Sequence, residues 1–207
     1  MPGMEPRPAD RGPGRIILLN GASSSGKSTL AKVMQRELDE PFLYVSSDQL
    51  VASGMLPDRR DATGPFAWWE QMRPRFFAGF HKCLPALAAA GNDLIVEHVI
   101  EFRSWREELG LLLADLDAFL VGVHCDLAEL DRRERVRGDR RIGEGREHVE
   151  VDLIHTFGPY DFEVDTTPGV SIELARSVLA AWQARGWQAR AGQEQASSAP
   201  LRGRGRG

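Results

Sequence analysis

The chain has 207 residues, 42% of them hydrophobic and 27% charged, which at about 100–200 residues per domain describes one globular domain and excludes disorder throughout and collagen-like repetition. Its 26 Lys+Arg against 30 Asp+Glu give a formal charge of −4 and a pI near 5.8, without the basic excess of a nucleic-acid-binding surface. No apolar run approaches the roughly 18 residues of a membrane span, and the Pro- and Gly-rich start, Met1 to Arg15, lacks the apolar core of a secretory leader; the expectation is a cytoplasmic protein with no membrane partner.

In chain order, residues 1–14 carry Pro2, Pro6, Pro8 and Pro13 and read as a flexible tail, because so few apolar groups cannot offset the entropy of ordering. Short apolar runs follow at Ile16 to Asn20, Phe42 to Ser46, Leu94 to Val99, Phe119 to His124 and Phe162 to Asp165. Continuous apolar runs bounded by turns suit strands covered on both faces. Helical patterns fall between them, such as Leu30, Val33, Met34 and Leu38, then Phe102, Trp105, Leu109 and Leu112, and finally Ile172, Ala175, Val178 and Leu179. This alternation predicts an α/β domain over 15–185 with a five-stranded, parallel sheet in a three-layer sandwich. Residues 186–207 end in Arg-Gly repeats and read as a second flexible tail, a solvated extension rather than a nucleic-acid contact. Cys83 and Cys125 stand apart from any metal-ligand spacing and read as buried, reduced and structural.

The strongest signal is Gly21-Ala22-Ser23-Ser24-Ser25-Gly26-Lys27-Ser28, which fits G-x-x-x-x-G-K-[ST] between the first strand and a helix beginning near Thr29. Glycines at both ends let the backbone wrap a phosphate with its N–H groups inward, and the helix N-terminus adds positive potential. Lys27 then reaches β- and γ-phosphate oxygens, and the Ser28 hydroxyl completes the coordination of Mg²⁺. This is a P-loop NTPase motif, and Gly21 to Thr29 are the expected nucleotide-binding residues, with ATP and Mg²⁺ as the cofactors.

Ligands of open parallel sheets sit beyond the carboxyl ends of strands. Asp48 ends the second run, where it would accept a hydroxyl proton or hold a metal-bound water, or else cap a short helix. Glu97 and His98 end the third run and point to opposite faces, so one of them is expected in the cleft, as a Walker B-like acid or an acceptor-binding group. Trp68 and Trp69, in an aromatic stretch that runs from Phe66 to Phe80 around Pro74, divide between core and acceptor contact. From about 126 to 156 the chain concentrates arginines around Gly138, Gly143 and Gly145. Arg133 and Arg137 are one helical turn apart and, with Arg140, suggest a helical lid that neutralises the transferring phosphoryl group; the other reading is a solvated helix pair balanced by Asp131, Glu134 and Asp139.

Together, Asn20 to Ser28, Val121-Gly122-Val123-His124-Cys125-Asp126, Arg137-Gly138-Asp139-Arg140 and Glu163-Val164-Asp165-Thr166-Thr167 resemble the chloramphenicol phosphotransferase family of P-loop kinases. The resemblance implies a nucleoside-kinase-like fold and ATP-dependent phosphorylation of a drug hydroxyl, with Asp48 at the position of the family's proposed base. The stretch from Leu50 to Gly64 is shorter than its family counterpart, and Glu97-His98 stands where paired acids are expected. Those differences leave open another small hydroxylated acceptor, including a sugar nucleotide as in the zeta-toxin group, or a nucleotide-dependent switch that transfers nothing. A homo-oligomer is also left open.

Overall fold

The computed structural model describes residues 12–56, 69–137 and 142–197. Five strands, β1 (Ile16–Asn20), β2 (Phe42–Ser46), β3 (Asp93–His98), β4 (Ala118–His124) and β5 (Phe162–Asp165), form one sheet in the order β2-β3-β1-β4-β5. Every neighbouring pair is parallel, so all five carboxyl ends open on the same edge.

Alternation along β1 builds two cores, since successive strand side chains point to opposite faces. Ile17 and Leu19 pack with Leu30, Met34, Phe119, Val178 and Trp182, beneath α1 (Lys27–Glu37) and α7 (Ile172–Ser197). Ile16 and Leu18 pack with Phe80, Leu84, Val96 and Leu109, beneath α3 (Trp69–Ala89) and α4 (Arg103–Leu112). The result is the expected three-layer sandwich. Three further helices stand above the carboxyl edge: α2 (Ser47–Ala52), α5 (Leu127–Arg137) and α6 (Glu144–Glu150), the last two within the arginine-rich stretch. Among the described residues no helix is long and apolar enough to cross a membrane.

Helix α7 runs to Ser197, past residue 185, through a stretch rich in the strong helix formers Ala, Gln, Glu and Arg. Helix α3 runs through both Pro74 and Pro85 as a single element. One expectation needs correction. Cys83 is exposed and Cys125 half-buried, so neither is a core residue: Cys83 lies on the outer side of α3, whose inner side is formed by Phe77, Phe80, His81 and Leu84.

Candidate active site

The loop between β1 and α1 is shaped by close approaches. A side-chain carbon at Gly21 would lie 2.4 Å from the Val123 carbonyl oxygen, and Gly26 holds φ 91° at the start of α1, a left-handed conformation natural to glycine. Ser24 also adopts positive φ, 61°. The buried Lys27 ammonium donates to the carbonyls of Gly21 (2.8 Å) and Ala22 (2.6 Å). Ser24 and Ser25 have buried hydroxyl oxygens with no hydrogen-bond partner among the described residues. From behind, the Thr166 hydroxyl lies within hydrogen-bond reach of the carbonyls of Ser25 and His124, which share its one proton, and Arg133 reaches the carbonyls of Thr166 (2.6 Å) and Ser24 (3.3 Å).

In front of the loop lies a cleft of about 1160 Å³ whose lining includes Lys27, Ser28, Asp48, Glu97, His98 and Arg137. Asp48 is exposed there. Ser46 caps α2, its hydroxyl accepting from the Asp48 N–H at 3.2 Å, so the capping role considered for Asp48 belongs to Ser46. Glu97 receives the Ser28 hydroxyl at 2.8 Å and, on its other oxygen, the Tyr44 hydroxyl. Burial, then the bond to Glu97, pushes the Tyr44 phenol well above its ordinary range. His98 lies on the opposite face of β3, buried among Phe77, Phe80 and Trp105. Only one of this pair was expected in the cleft; both line it, because the cleft opens at the strand end, where the two faces meet.

Within the arginine-rich stretch, Arg132 and Arg133 both pair with Glu129, and Arg146 pairs with Asp131 and Glu150, which is the balanced arrangement. Arg132, Arg133 and Arg137 also line a second recess of about 410 Å³ behind the loop, with Gly26, Thr29, Pro168 and Val170. Arg137 lines both this recess and the larger cleft, and so stands at their junction. Trp69 opens α3 on the cleft wall. Arg140 and Trp68, together with Phe66, lie outside the described residues.

Several site residues were not anticipated. Glu134, assigned to charge balance, is fully buried and accepts from the backbone N–H groups of Gly143 (2.6 Å) and Gly145 (2.7 Å), fastening the start of α6 to α5. The His148 Nδ1 accepts from the Ser23 N–H at 3.1 Å, tying α6 to the phosphate loop; burial and then the Lys27 charge lower the His148 pKa. No local motif announces either contact, and Ser23 and His148 are also far apart in sequence. Glu101, His148 and Asp152 bring ligand atoms within 4.8 Å of one another, but Glu101 is engaged by Arg73 and His148 by the loop.

The family described as chloramphenicol phosphotransferase-like protein matches residues 14–183. A Mycobacterium tuberculosis protein, provisionally named O-phosphotransferase Rv2636, is 30% identical over 190 residues covering 83% of each chain. Among solved structures, the M. tuberculosis APS kinase CysC in complex with AMPPNP and APS matches with TM-score 0.59 at 24% identity, over 83% of this chain and 99% of that one. A gluconokinase from Sinorhizobium meliloti matches at 0.54 and 19% identity, over 88% and 98%. The structural likenesses, at these identities, establish a P-loop kinase fold.

Proposed function

We propose that this chain, which belongs to the chloramphenicol phosphotransferase-like family, is an ATP- and Mg²⁺-dependent O-phosphotransferase acting on a hydroxyl of a small molecule, an antibiotic of the chloramphenicol type. A kinase-like phosphotransferase is the coarser statement that family and fold support together. The observation that carries the finer one is a single cleft in which the exposed carboxylate Asp48 and the loop lysine Lys27 both stand.

The loop suits a polyphosphate. Its lysine donates to its own carbonyls, bonds that phosphate oxygens can replace, and two buried serine hydroxyls await a partner. The recess lined by Arg133, Pro168 and Val170 suits the nucleotide base. Ser28 and Glu97 offer the oxygen donors a hard cation takes, and would hold Mg²⁺ directly or through its waters; that ion, when bound, neutralises charge on the β- and γ-phosphates.

The reaction then follows from position. Asp48 orients the acceptor hydroxyl and takes its proton as the oxygen–phosphorus bond forms, while the bond between the γ-phosphorus and the β-bridging oxygen breaks and ADP leaves. Lys27 and Arg137 attend the charge on the phosphoryl oxygens. Positioning and electrostatics dominate, because phosphoryl transfer passes through a loose transition state. The test is ATP consumption by purified protein with Mg²⁺ against hydroxylated antibiotics, including chloramphenicol, and hydroxylated metabolites. Stimulation by an antibiotic is expected; stimulation by metabolites alone would reassign the acceptor, and no stimulation by any compound would overturn transfer.

A further inference from the structure

His98 is part of a chain of hydrogen bonds that reaches out of the cleft. Its Nε2 lies 3.0 Å from Nε2 of His81, whose Nδ1 lies 2.8 Å from a carboxylate oxygen of Glu108. The two imidazoles meet nearly edge to face, at 72°, inside an apolar wall made by Phe77, Phe80 and Trp105. At the other end, Nδ1 of His98 is buried and has no hydrogen-bond partner among the described residues, although its ring lines the cleft.

With both imidazoles neutral, donor and acceptor rules fix the protons along this chain. A carboxylate only accepts, so His81 turns Nδ1–H toward Glu108, and a neutral imidazole with Nδ1–H has a bare Nε2. That bare nitrogen can only accept, so the neutral His98 ring supplies Nε2–H. Its own Nδ1 is therefore bare. A buried acceptor left without a donor is destabilising until something fills it.

We propose that Glu108, acting through His81, fixes His98 as a hydrogen-bond acceptor in the cleft wall, and that this lone pair selects acceptor substrates carrying a hydroxyl donor on an apolar, aromatic-compatible skeleton. The proposal rests on reading the cleft as the acceptor site. Under it His98 contacts substrate, while His81 and Glu108 are positioning residues that act through it. The neighbours of the lone pair set the skeleton: Phe77 packs 5.7 Å from the His98 ring, centroid to centroid, and Trp69 stands 6.2 Å from Phe77, both on the cleft.

The experiment is ¹⁵N NMR of protein labelled at histidine, at pH 8, without nucleotide. The expected result is one tautomer for His98, with Nε2 in the protonated range and Nδ1 in the bare range. A protonated Nδ1 with a bare Nε2 would overturn the relay. Glu108→Gln, whose amide can donate or accept, should lose the single tautomer while keeping the fold; an unchanged His98 spectrum would remove Glu108 from the chain. Benzyl alcohol and benzyl methyl ether then serve as probes, and only the alcohol should move the Nδ1 resonance upfield. An equal response to both, or none to the alcohol, would overturn donor selection. These readings need no turnover, so failure of phosphoryl transfer would leave them standing, and a wrong tautomer would leave transfer untouched.

Discussion

Glu97 meets two hydroxyl groups at once, from Ser28 on the helix after the loop and Tyr44 on the neighbouring strand. A buried carboxylate is tolerated when hydrogen bonds satisfy it, and these two also hold it beside the residue expected to place the metal. Replacing Glu97 by Gln keeps the shape and removes the charge. Loss of such a supporting carboxylate commonly costs 10–100-fold in metal affinity or activity, so Glu97→Gln should raise the Mg²⁺ concentration for half-maximal ATP turnover by roughly tenfold or more. A magnesium titration at fixed ATP reads this directly, and an unchanged midpoint would detach Glu97 from the metal. The residue scale is also where the sequence was most legible. The loop is a contiguous string whose residue types each carry a local reason, and Asp48 follows its strand directly, whereas the His81–His98 and His148–Ser23 contacts join segments that no spacing rule connects.

Between elements, the arginine-rich stretch is held by a carboxylate as well as by its arginines, Arg146 of α6 pairing with Asp131 of α5. Glu134 gives both oxygens to backbone N–H groups at the start of α6, and Gly145 lets that helix press on the loop, since a side-chain carbon there would lie 2.6 Å from the Ser23 carbonyl oxygen. Hydrogen bonds to a charged group are worth about 1.5–3 kcal/mol each, so Glu134→Ala, stripping two, should lower unfolding free energy by roughly 3 kcal/mol in urea titrations. A change under about 0.5 kcal/mol would mean the helix is held elsewhere. Gly145→Ala should instead weaken ATP binding, by displacing α6 from the loop that it buttresses; titration calorimetry would measure it, and unchanged affinity would contradict the coupling. The strands and most helices could be read from the order of apolar runs. What composition misjudged was the role of Glu134, where a charge among arginines turned out to serve the backbone.

For the molecule as a whole, three histidines are held neutral by the fold. Burial is the first cause at His98, His148 and His155, and at His155, beside the charges of His124 and Lys27, it brings the pKa down to about 4. An unfolded imidazole titrates near 6.5, so between about 6.5 and 4 the unfolded chain binds more protons than the folded one and stability falls with pH. The melting temperature should therefore decline from pH 7.5 to pH 5. His155→Gln, which retains a polar group toward the Tyr160 hydroxyl, should decline less steeply; equal slopes for the two proteins would remove His155 from the effect. The parallel sheet covered on both faces was implied by the apolar runs, whereas the strand order β2-β3-β1-β4-β5 was not. Which side chains face one another across the carboxyl edge depends on how far each helix projects above it, and that is a property of the packed molecule.

The central claim is that Asp48 and the phosphate loop act together in phosphoryl transfer. The most direct measurement is the rate at which a single phosphoryl group appears on chloramphenicol, followed by mass spectrometry with MgATP, for the wild-type protein and for Asp48→Asn. The expected result is a singly phosphorylated drug from the wild type, a kcat lower by roughly 10²–10⁴ in the variant, and nucleotide affinity little changed. Near-normal turnover by Asp48→Asn, or ATP binding with no phosphorylated product from the wild type, would contradict it.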